Sequence, residues 1–97
     1  MTHAAFVQVE IDPASDIEHR HSILNEFILP ELRKLPGFKT ALWLNDGHGV
    51  GTCVAQFETN EQATRSLDVL SPSNGPRVVH SGICAVELDV KLSPAGL

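Results

Sequence analysis

The chain reads as an α+β domain with elements in the order β-α-β-β-α-β, four antiparallel strands carrying two helices on one face. Three observations predict this. Two stretches repeat apolar residues at helical spacing, several others alternate at strand spacing, and a glycine-dense turn joins the second strand to the third.

From Ala4 to Ile11 the residues alternate, with Ala5, Val7, Val9 and Ile11 on one face and Phe6, Gln8 and Glu10 on the other. Asp12-Pro13 ends this first strand, because Pro13 cannot donate to a ladder. A helix follows in which Ile17, His21, Leu24, Ile28, Leu32 and Leu35 form one stripe. Ser15 is its expected N-cap, with Asp16 and Glu18 favourably placed at the positive end of the dipole. Pro30 should kink the helix by removing the bond to Glu26, and Pro36-Gly37 ends it.

Phe38 to Leu44 reads as the second strand, with Lys39, Ala41 and Trp43 opposite Phe38, Thr40, Leu42 and Leu44. Asn45-Asp46-Gly47-His48-Gly49 is a hairpin signal, since Asp-Gly suits positive backbone angles. The return strand, Val50 to Glu58, sets Val50, Thr52, Val54 and Gln56 against Cys53, Ala55 and Phe57. Thr59 with Gln62 predicts a capping box for a second helix whose buried stripe is Ala63, Leu67 and Leu70. Six loop formers, Ser71 to Pro76, are long enough to cross a sheet edge or a pocket mouth. The last strand should run from about Val79 or Ser81 to Val90, with Cys84, Val86, Leu88 and Val90 facing the helices and residues 93–97 fraying.

This order is the split unit of ferredoxin-like folds, read here as one domain over residues 1–97 with an ordered core of about 4–91. A chain of 97 residues buries only roughly 60 to 65% of its unfolded surface, which is marginal for one copy alone. The sheet face away from the helices carries Val50, Thr52, Val54 and an apolar set from the first strand. Left bare, it would be a patch of several hundred Å², so a homodimer through the sheet faces is expected.

Twelve acidic against seven basic side chains give a net charge of −5, which argues against nucleic acid or an anionic membrane as partner. No apolar run approaches the ~20 residues of a bilayer span. Two cysteines, 31 residues apart and without an N-terminal signal pattern, fit neither a secreted disulfide scaffold nor a zinc site, and a cytoplasmic protein without metal is expected. Tyrosine is absent, so no tyrosyl group can act as acid, base or radical.

The string Pro30-Glu31-Leu32-Arg33-Lys34-Leu35-Pro36-Gly37-Phe38, then Trp43-Leu44, then Val54-Ala55-Gln56-Phe57-Glu58-Thr59, with a glycine turn between strands, resembles the dimeric α+β barrel superfamily. Its antibiotic-biosynthesis-monooxygenase branch is the nearest in pattern, over roughly Phe6 to Val90. The resemblance implies two sheets paired across a twofold axis and a small apolar ligand pocket between sheet and helices in each protomer. Some members oxidise polycyclic phenols or quinols with molecular oxygen and neither metal nor flavin; others degrade haem, isomerise lactones or have no known activity. This chain departs from the haem-degrading residue set in having Gln8 on its first strand, and from the quinol-oxidising set in having Lys39 four residues before Trp43.

Within that frame His21, on the apolar stripe of the first helix, points toward the sheet and is either a core-edge histidine or a proton acceptor. His80 enters the last strand after the long loop, at the expected pocket rim. Trp43 offers either a stacking surface for an aromatic ligand or core filling. Phe57, Cys84 and Leu24 complete the candidate ligand wall. The function implied is a dimer binding a small apolar or aromatic ligand without a cofactor. If it is an enzyme, it oxygenates an aromatic or quinol substrate; the alternatives are a non-catalytic or stress-related ligand-binding homodimer and a dimer whose apolar residues only pack.

Overall fold

A computed structural model describes residues 1–12, 14–73 and 75–90 of the chain. Pro13, Asn74 and residues 91–97, with the breaker, loop and fraying roles expected of them, lie outside the described residues. The elements are β1 (His3–Glu10), α1 (Ile17–Ile23), a π-helical segment (Leu24–Ile28), α2 (Leu29–Lys34), β2 (Phe38–Asn45), β3 (Val50–Phe57), α3 (Asn60–Leu70) and β4 (Val78–Ala85). The sheet order is β2-β3-β1-β4, with every neighbouring pair antiparallel. This is the expected ferredoxin-like architecture, with the first helix built as three consecutive segments.

The alternation of β1 and β3 sets the sheet's two faces. Ala5 lies opposite Ala55 and Val7 opposite Cys53, and these side chains meet the helices. Ala5, Leu32, Ala55, Phe57 and Ala63 form one fully buried cluster, flanked by Leu35, Phe38, Ala41, Trp43, Leu67 and Ile83. Phe38 joins this cluster against the simple parity of β2. A bulge at Lys39 shifts the register between Phe38 and Thr40, so Phe38 meets Phe57 with ring centroids 5.6 Å apart.

The structure accommodates Pro30 with a π-helical turn. The Leu29 amide donates to the Leu24 carbonyl, five residues back, so the turn widens just before the proline. That wider turn accommodates a ring that would otherwise crowd the Glu26 carbonyl. The helix begins one residue later than expected: Asp16 is the N-cap, its carboxylate accepting from the Glu18 amide at 3.0 Å. Ser15 is engaged in the preceding turn instead, its hydroxyl donating to the Asp12 carbonyl at 2.6 Å. The second helix has the full capping box, the Thr59 hydroxyl accepting from the Gln62 amide and Gln62 Oε1 accepting from the Thr59 amide, both at 3.2 Å.

Between β2 and β3, Gly47 and Gly49 take φ of +78° and +98°, which side-chain-bearing residues rarely adopt. Asp46 closes the turn by accepting from the His48 and Val50 amides at 2.7 and 3.0 Å. Those backbone donors hold its carboxyl below the usual range.

The last strand corrects the sequence reading twice. It ends at Ala85, and residues 86–90 have no regular structure, with Leu88 and Val90 exposed. Its register sets Ala5 against Ile83 and Ala4 against Cys84, so Ile83 faces the helices and Cys84 faces away. On this outer face Phe6 lies against His80, with ring centroids 5.2 Å apart, and Gly82 leaves the space that the Phe6 ring fills.

Candidate functional site

Leu32 on α2 is fully buried, whereas α1 and the π-helical segment contain no buried residue. The helical rod is thus anchored at its C-terminal end and stands off the sheet at its start. The space beneath is a cavity of about 930 Å³, within the range of small-molecule sites. Val7, Val9, Trp43 and Cys53 form its sheet wall, and Ile17, Leu24, Phe27 and Ile28 its helical wall. Val69 and Leu70 from α3 close one side, and Pro72, Gly75 and Pro76 of the long loop also line it.

Polar groups enter at few points. His21 and Arg20 project from α1, Glu31 from α2, Asn45 from the end of β2 and Asp68 from α3. Asn45 is committed to the hairpin, accepting from the Gly47 amide at 2.8 Å, and Glu31 pairs with Lys34 at 3.1 Å. Burial pushes the Cys53 thiol up to about 12, so it stays protonated and behaves as a small apolar group. Among the described residues no three His, Cys, Asp or Glu side chains are grouped as metal ligands. A smaller depression of about 260 Å³ lies over the capping box, lined by Leu35, Pro36, Thr59, Glu61, Gln62 and Arg65, where Thr59 and Gln62 already satisfy each other.

Of the residues singled out in the sequence, His21, Leu24 and Trp43 line the cavity together. Phe57 does not; it is completely buried in the core. Cys84 and His80 do not either. They stand on the outer sheet face, and His80 is exposed against Phe6. Arg20 also lines the cavity and is not among the residues that the apolar stripe singles out. The signal was there: it falls three residues after Ile17 and four before Leu24, on the stripe that bounds the cavity.

No protein-family model and no curated protein matches the chain. Solved structures do. A monooxygenase from the gene ActVA-Orf6 of Streptomyces coelicolor, in complex with nanaomycin D, is similar with a TM-score of 0.59 and 19% identity, over 94% of this chain and 92% of that one. A variant of MhuD with two manganese protoporphyrin IX bound per active site gives 0.57 and 16%, over 94% and 99%. The protein YJCS gives 0.59 and 16%, over 89% and 99%. At this level of identity the likeness is one of fold: the chain shares with these structures the ferredoxin-like α+β architecture of four antiparallel strands with helices on one face.

Proposed function

We propose that the cavity binds a small aromatic ligand, with Trp43 as the stacking surface and His21 as the group that takes a proton from it. The observation that carries this reading is the largely apolar cavity of about 930 Å³ into which the chain's single Trp and one of its histidines both open. The similar structures support a ligand there, since one holds nanaomycin D and another a metalloporphyrin.

The reaction that suits such a site needs no cofactor. A phenol with a free para carbon gives up its hydroxyl proton to His21, and the electron-rich ring that results reacts with oxygen at that carbon. One oxygen atom becomes the second carbonyl of a quinone and the other leaves as water with the para hydrogen and the hydroxyl proton returned by His21, so the substrate is its own reductant. The apolar walls exclude water from the reactive anion. General-base assistance of this kind contributes typically 10²- to 10⁴-fold.

The test uses 1-naphthol and a panel of other phenols with a free para carbon, following binding by quenching of Trp43 and turnover by oxygen uptake. His21→Ala is expected to bind within about threefold of the native protein and to turn over at least ~100-fold more slowly. Equal rates would remove His21 as the base. His21 is exposed at the cavity rim, which favours a second reading, capture of the ligand without chemistry. Quenching without oxygen uptake would assign that function instead. The outer sheet face, with Leu42 and Leu44 more than half exposed, supports a homodimer in which a second copy covers it.

A further inference from the structure

Arg20 is the one Lys or Arg among the described residues that is not exposed, yet it has no carboxylate within ion-pairing distance. Four of the exposed cations are paired: Lys34 with Glu31, Lys39 with Glu58, Arg65 with Glu61 and Arg77 with Glu10. This inverts the usual order, in which the more buried cation is the better compensated one. Its guanidinium is nevertheless held in place. Nη1 donates to the Ser15 carbonyl at 2.9 Å and also to the Ser15 hydroxyl, tying one corner of the group to the turn before α1. The opposite edge, Nε and Nη2, makes no hydrogen bond to any described residue, and the side chain lines the cavity.

An edge of two parallel N–H donors matches the two oxygens of a carboxylate. From this we infer that the cavity's natural ligand is an aromatic acid, its apolar body against Trp43 and its carboxylate on the Nε/Nη2 edge of Arg20. The inference rests on the cavity being a ligand site and adds to it the charge and the direction of the ligand. The other charged groups of the cavity agree with that direction. Glu31 and Asp68 lie on α2 and α3, so a carboxylate is repelled from their side and drawn to the start of α1. The chain's net charge of −5 opposes an anion only weakly at this point, since charges beyond about 8 Å are screened at physiological ionic strength.

Calorimetric titration of the full chain with anthracene-2-carboxylate and with anthracene-2-carboxamide, which differ in charge and hardly in size, tests this. The native protein is expected to prefer the carboxylate by at least tenfold. Arg20→Gln should abolish that preference while carboxamide binding stays within about twofold, and Arg20→Lys, which keeps the charge without the fork, should retain part of it. Leu24→Trp, which fills the cavity, should abolish binding of both probes. Equal affinity for the two probes, or a preference that survives in Arg20→Gln, overturns the role of Arg20 while leaving the cavity as an apolar site. Failure of both probes to bind, or binding that survives Leu24→Trp, overturns the cavity reading and this inference with it.

Discussion

Cys53 lies on the cavity side of β3, opposite Val7 on one neighbour and Trp43 on the other. Its thiol is pushed from an ordinary 9.0 to about 12 by burial alone, so the native state keeps a proton that the unfolded chain releases. The sign follows from linkage. The native state binds more protons than the unfolded state between these two values, so stability is intact below pH 9 and falls as pH rises toward 12. Urea midpoints of the native protein are expected to drop between pH 8 and pH 10.5, and Cys53→Ala should lose much of that drop; an equal drop in both would show that another group is responsible. At this scale the sequence was legible where a residue sat in a long periodic run. His21 and Leu24 lie on the helical stripe and Trp43 on a strand with clear alternation, and all three reach the cavity. Cys84 does not, because the parity of β4 was inferred partly from Val86, Leu88 and Val90, which are not in the strand, and neither does His80, which was placed at the rim only from its position after the long loop. The inward position is fixed instead by the pairing of Ile83 with Ala5, and a pairing register is a property of two strands that neither sequence alone displays.

Among the elements, α3 has a start that the sequence specifies most fully. Thr59→Ala deletes one half of a reciprocal cap and leaves the Gln62 amide without its partner, and it is expected to cost about 1 kcal/mol, read from the denaturant midpoint. Thr59→Ser keeps the acceptor and should cost only a fraction of that. A Thr59→Ala midpoint equal to the native one would mean the cap contributes nothing beyond what water supplies. The start of α1 was less legible for a physical reason: Ser15 and Asp16 are both good caps, and Asp12, three residues earlier, captures the serine hydroxyl. Pro30 was visible as a breaker, whereas the local answer to it, a widened turn over Leu24–Ile28, depends on what the rod packs against. Phe38 illustrates the same limit in a strand, since the bulge that turns it inward has no marker in the string Phe38-Lys39-Thr40.

For the whole molecule, the order of elements and the placement of β1 between β3 and β4 follow from periodicity and turns that the sequence carries openly. The two-faced apolar character of the sheet was equally open, and it generates the assembly prediction. Leu42 pairs with Val54 and Leu44 with Thr52 on the face opposite the helices. Sedimentation is expected to give twice the chain mass, with Leu42→Glu shifting the protein to a single chain; a native protein that sediments as a single chain would end the idea of a sheet-to-sheet dimer. The cavity, by contrast, was foreseeable only through the resemblance, because a gap is where the periodic stripe fails to touch its partner. That gap has a thermodynamic meaning. The first half of the helical rod has no buried side chain of its own, so in the unliganded chain it belongs to the least stable part of the fold. A ligand beneath it would act as the missing piece of the hydrophobic interior, and each tenfold rise in free ligand above its Kd would add about 1.4 kcal/mol to the resistance against unfolding. Occupancy and foldedness would then be one equilibrium seen from two ends.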